Sequence, residues 1–212
     1  MGISDSFQGK IENAISEGVD SVVRSREKHY SQSPSKIPNK GSIDSMISST
    51  ANLNAAISGG ASLIPGPWGM AAVIPELVAV INRQLTLIYD IGAAHGKQKQ
   101  ITKELVLGIM ISGLGSSAGS LLTIHGSKVL VRRVSLRAMQ KIIALLGGKI
   151  TQQALKRAVS KWLPVVGAAA MAAWTRHMTV QIGRRADEIF QLDIKDDPST
   201  LDIEVESEVA SN

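Results

Sequence analysis

The sequence predicts an all-α protein, a helical bundle of about six to seven helices with long apolar hairpins and an acidic, disordered C-terminal tail. Three observations carry this. Apolar residues recur at spacings of three and four through most of the chain. Glycine and proline clusters cut that pattern into helix-sized pieces. One segment alternates with period two, near the end of the sequence, and it has no second strand to pair with.

The elements follow in order. Residues 4–28 read as a first helix, with Ile11, Ile15, Val19 and Val22 on one stripe. "HYSQSPSKIPNKGS", residues 29–42, is a linker with two prolines and a terminal Asn-Lys-Gly. A helix resumes near Ser42 and stops at Gly59 and Gly60. "IPGPWG" then forms a rigid turn, because Pro65 and Pro67 lack a donor and restrict the residue before them. A long helix is expected from Trp68 to Ala94, kinked at Pro75 and ended by Gly96. Another is expected over 101–124, carrying Gly115 and Gly119 as G-x-x-x-G. Further helices are expected over Lys128–Leu146, closing on Gly147 and Gly148, and over 151–161 and 165–191. "DIKDDPST" reads as a turn, and "LDIEVESEV" as the disordered acidic tail rather than an edge strand. The organisation is an N-terminal helix and linker over 1–41, a helical domain over 42–191 and a tail over 192–212.

Composition limits the chemistry. The chain has 212 residues, enough for a sizeable core. Aromatic residues are only 3%, so the core must be Leu, Ile, Val, Ala and Gly, with Tyr89 and Trp174 as aromatic core anchors. There is no cysteine, which excludes disulfides, thiolate nucleophiles and thiolate metal sites. No basic segment leads into an apolar run at the start, so no export signal is expected.

Charge is uneven. The formal net charge is +5, but residues 187–212 hold nine carboxylates against Lys195 alone. Residues 1–186 hold 22 cations and 9 anions, a net of +13 that favours anionic partners. No acidic residue occurs between Glu104 and Asp187. In "KVLVRRVSLRAMQK", residues 128–141, Arg133, Arg137 and Lys141 fall at four-residue spacing and so share a helix face. Lys128 and Arg132 lie beside them. The expected basic amphipathic helix, with Arg157 and Lys161, would contact anionic membrane lipid or an acidic protein partner. Nucleic acid is the weaker partner, since no helix-turn-helix, finger or stacking platform is present.

No catalytic constellation emerges. His29, His95, His125 and His177 make no ligand motif, so no metal or cofactor is implied. His95 and His125 read as surface or capping residues near helix ends, His177 as a partly buried structural histidine. The acidic residues of the helical body are Glu76, Asp90 and Glu104. Glu76 and Asp90 read as structural partners of Arg83 or Arg176, with Glu76 and Arg83 a buried polar pair. Nucleophile-elbow and phosphate-loop motifs are absent.

The apolar stretches raise the question of a bilayer. Residues 105–124 have the length of a span and no charge, but many serines and glycines. Residues 57–81 contain Glu76 and prolines. The balance favours a soluble or peripheral bundle on the cytoplasmic membrane face, with insertion as the alternative.

The turn at Pro65, Gly66, Pro67 and Gly69, with Tyr89, Gly92 and Gly96 ending the helix that follows, resembles the bacterial EcsC-type helical proteins. So does the later "LPVVGAAAMAAWTRHMTVQIGRRADEIF", through Pro164, Gly167, Ala168, Arg185, Ala186 and Phe190. The resemblance spans about residues 50–191, in mostly Gly, Ala and Pro context. It implies membrane association and an accessory role, and no catalytic residues. The expectation is thus a non-enzymatic, membrane-associated accessory protein with a basic helical surface. The alternatives are a pore-forming or membrane-disrupting effector with a concealed apolar hairpin, and a lipid or small apolar ligand carrier.

Overall fold

Apolar stripes at helical spacing need a partner, and among the described residues six α-helices supply it to one another. The computed structural model describes residues 3–61, 67–115, 121–158 and 164–201. Helix α1 (Ile3–Gln32) buries Phe7, Ile11, Ile15 and Val19 against α3 and α5. α2 (Ile43–Ala61) packs along α6 (Pro164–Gln191), and both lie on α3 (Pro67–Ala94). Leu77, Val80, Ile81, Leu85, Ile88 and Ile91 of α3 are fully buried, so this helix is the centre of the core. It ends as the sequence predicts: Gly96 takes φ +73°, and the Lys97 amide donates to the Gly92 carbonyl at 2.9 Å.

α4 (Lys103–Gly113) begins at Thr102, whose hydroxyl accepts from the Leu105 amide at 3.2 Å. Leu105 through Met110 are all buried, and Leu114 and Gly115, with φ +69°, turn the chain out of the helix. Strand β1 (Leu122–His125) and strand β2 (Lys128–Val134) form a hairpin in which His125 faces Lys128. Its turn is Gly126-Ser127, with Gly126 at φ +57°. α5 (Leu136–Ala158) follows, and after α6 strand β3 (Asp193–Leu201) pairs with β2 in parallel. The sheet order is β1-β2-β3. The sheet sits on α4 through Val129 and Val131, and Leu122 lies over Gly108, where a Cβ would approach to 2.5 Å.

Several expectations need correcting. The fold is not all-α, because the segment expected as a basic helix is half strand. In 128–134 the branched valines at 129, 131 and 134 suit a pleated surface, and Val129 and Val131 alternate into the core. The helix expected over 101–124 stops at Gly113, and Ile124 is in β1, so this segment is no apolar helical hairpin. Part of the expected acidic tail, read as a turn at 193–200, is strand. The rest of it, and Gly119, lie outside the described residues. Gly147 and Gly148 do not stop a helix but sit within α5; a Cβ at Gly147 would come within 2.6 Å of Glu12 Cγ, so that glycine admits α1.

The core also holds polar side chains. Asn54 of α2, Gln84 of α3 and Thr179 of α6 are each fully inaccessible to solvent. Thr179 Oγ1 donates to the Thr175 carbonyl at 2.8 Å, which leaves its lone pairs to accept. Asn54 Nδ2 and Gln84 Nε2 fill them at 3.1 and 3.0 Å. One turn away the Thr175 hydroxyl donates to Ser58 Oγ at 2.9 Å. These bonds tie the three helices to one register.

Candidate functional site

One face of α6 carries its chemistry outward. Trp174, His177, Met178, Gln181, Arg184, Arg185 and Glu188 follow spacings of three, one, three, three, one and three, so they form a stripe along the helix. The end of α4 lies across this stripe. Gly113 allows the approach, since a Cβ there would stand 2.7 Å from the Ile182 backbone Cα. Gln153 of α5 closes the far side, accepting from Trp174 Nε1 at 2.9 Å. Between them is a cleft of about 530 Å³, lined by the stripe, by Gln153 and by Ser112–Gly115. That volume suits a small-molecule ligand.

The charges in the cleft are not equivalent. Arg185 donates to Glu188 Oε2 at 2.9 Å and is thereby neutralised. Arg184 is exposed and makes no ion pair among the described residues. Trp174 and Met178 are 7% and 3% exposed and form an apolar floor. His177 is exposed beside them and not the partly buried structural residue expected.

Two further polar clusters fasten helices together. Arg26 Nε and the Tyr30 hydroxyl both donate to Asp90 Oδ1, each at 2.8 Å. Burial raises the Asp90 carboxyl, against the pull of Tyr30 and Arg26. Burial also raises the Tyr30 hydroxyl, with Asp90 adding to it. Burial works to lower Arg26, and Asp90 and Tyr30 together outweigh it, so Arg26 ends above its ordinary value. Elsewhere His95 Nε2 meets Asp187 Oδ1 at 2.7 Å, and the His95 side chain is 5% exposed, so it is a buried clasp rather than a surface cap.

The predicted basic surface is dispersed. Arg132 faces Asp197 at 3.4 Å, and Arg133 faces Asp196 at 3.8 Å, both across the parallel strand pair. Lys128 is exposed at the start of β2, and Arg137 and Lys141 are exposed on α5. Neither the Arg157 side chain nor Lys161 belongs to the described residues. Pro65 and Gly66 are outside them too, while Pro67, Gly69, Pro164 and Gly167 fall in the first turns of α3 and α6. Glu76 is 5% exposed, but Arg83 is exposed, so the two are not a buried pair. Asp90 pairs with Arg26, not with Arg83 or Arg176.

No family model, curated protein or solved structure matches this chain.

The membrane reading falls on two findings. Among the described residues no helix is long and apolar enough to cross a membrane. The buried apolar residues of α3 from Leu77 onward and those of α4 lie in the core, and the basic helix expected to meet lipid or an acidic partner is divided between β2 and α5. The membrane-associated reading is corrected accordingly: among the described residues there is neither a spanning helix nor a continuous basic helix over 128–141. Among the described residues no group of three or more His, Asp or Glu is placed to hold a metal ion. No motif in the sequence marks Trp174, His177, Gln181 and Arg184 as a group. Their helical spacing was visible; the arrival of α4 and Gln153 beside them was not.

Proposed function

We propose that this chain is a helical ligand-binding module whose site is the cleft between the end of α4, α5 and the outer stripe of α6. The observation that carries it is the cleft itself: about 530 Å³, with an apolar floor and converging polar side chains from three helices. Rigid elements rather than loops hold most of the lining, which suits recognition. The role proposed is binding, because the lining offers apolar surface and polar groups suited to holding a ligand. Kinship with the EcsC-type proteins is likewise a proposal. It rests on the residues quoted above, of which Gly92 and Phe190 pack together, a Cβ at Gly92 falling 2.6 Å from Phe190 Cζ.

A fragment screen by two-dimensional NMR tests the site. Ligands that bind should shift the Trp174 indole N–H and the Gln153 and Gln181 side-chain amides together. Gln181→Trp, at an exposed position, should fill the cleft and abolish those shifts without unfolding the protein. Hits that leave these signals in place and move others would refute the assignment.

A further inference from the structure

We infer that the cleft selects a ligand with a flat apolar body and an anionic group at one end, such as an aromatic carboxylate, sulfonate or phosphate; this rests on the cleft being the binding site. Four observations lead there. Arg184 is a cation with no ion pair among the described residues, whereas Arg185 beside it is already held by Glu188. An added cation would find Glu188 occupied, so the vacancy is for negative charge. The indole N–H of Trp174 donates to Gln153, so what Trp174 contributes to the cleft lining is apolar. Met178, nearly buried, extends that surface toward Arg184.

The spacing sets the shape. Six residues separate Met178 from Arg184, about 9 Å along a helix axis. A ligand lying along α6 can therefore rest its rings on Met178 and Trp174 and reach Arg184 with its charged end. The exposed Gln181 amide can donate or accept along its edge. A compact inorganic anion would satisfy Arg184 and leave the floor empty. The positive field of residues 1–186, net +13, favours the approach of any such anion.

Two dyes separate the parts of this inference. 1-Anilinonaphthalene-8-sulfonate and N-phenyl-1-naphthylamine share one ring system, and only the first carries a sulfonate. In fluorescence titrations the sulfonate should bind about ten-fold or more tightly than the neutral dye, the range of one hydrogen bond to a charged group. Gln181→Trp marks which part of the signal comes from the cleft. Arg184→Gln should bring the two dyes to similar affinity, and Arg184→Lys should restore part of the difference. Arg176→Gln, whose side chain bonds Asn52 outside the cleft, should leave the ratio unchanged. Equal cleft binding of both dyes to the unaltered protein, or a ratio indifferent to Arg184→Gln, overturns the anionic class and leaves the cleft as a site. Binding of neither dye in the Gln181-sensitive signal overturns both.

Discussion

Thr179→Val changes one hydroxyl to a methyl of nearly the same size, at a site with no solvent access. The hydroxyl accepts from Asn54 Nδ2 and Gln84 Nε2 and donates to the Thr175 carbonyl. The Thr175 carbonyl lies in the helix and loses little. The two amide donors lose their acceptor, and neither Asn54 Oδ1 nor Gln84 Oε1 has a protein partner to offset that loss. A buried donor left unsatisfied costs about 1–3 kcal/mol. Relief from burying the hydroxyl returns about 1 kcal/mol. With two donors left unsatisfied, the net is a loss of about 1–5 kcal/mol, a large share of a typical domain's stability. Urea unfolding should show a lower midpoint with an unchanged slope, because the surface exposed on unfolding is the same. The triple change Asn54→Leu, Gln84→Met, Thr179→Val removes both sides of every bond. It should be far less destabilising than the sum of its singles. A Thr179→Val protein within about 0.5 kcal/mol of the original, below the ordinary range for such a loss, would show that these bonds do not set the register of the helices.

Two glycines should respond oppositely to alanine. Gly113→Ala meets Ile182 backbone, which cannot rotate away, and should cost about 1–3 kcal/mol and widen the cleft; Gly148→Ala, with its nearest neighbour at 3.6 Å inside α5, should gain about 0.5–1 kcal/mol. Thermal unfolding of the pair checks both signs, and equal responses would refute the close approach. Asp90 is held above its ordinary value of 3.8, with burial as the largest cause. A carboxyl raised on folding contributes stability that is full below the unfolded value and is lost as pH rises through the folded value. Acidification from neutral pH toward that value should therefore stabilise the original protein relative to Asp90→Asn, and parallel stability curves would contradict this. Ile194→Ala removes the one large side chain of β3 that is buried among the described residues. Hydrogen exchange should quicken along β2 and β3 while α3 keeps its protection; uniform acceleration would show that β3 is not a separate unit.

Most helices were legible because their apolar stripes face one another. Ile11, Ile15 and Val19 are all buried, and the Gly96 corner falls at its expected place. The sheet was hidden for a definite reason. In 128–141 the cations fall at helical spacing while Val129 and Val131 alternate, and the charge pattern outweighed the strand pattern. Yet Gly126-Ser127 before the valines is a hairpin signal, and it would have supplied the missing partner for a strand. β3 is less recoverable. "DIKDDPST" holds a proline and three aspartates, all disfavoured in strands, and it pairs because Arg132 and Arg133 wait across from Asp197 and Asp196. In the cleft, the α6 stripe was readable by spacing alone. Its partners come from α4 and α5, tens of residues away in the sequence, and no local pattern announces that meeting.

The parallel pairing of β2 with β3 also has a consequence for biosynthesis. Lys128 lies opposite Asp193, so α5 and α6 must both be made before the strands can meet. A growing chain therefore carries β2 with one edge open while those two helices emerge from the ribosome. Its arginines, unpaired during that interval, keep like chains apart by repulsion at the stage when an exposed edge is most prone to aggregate. The charges that later fasten β3 thus first act as guards for the strand they border.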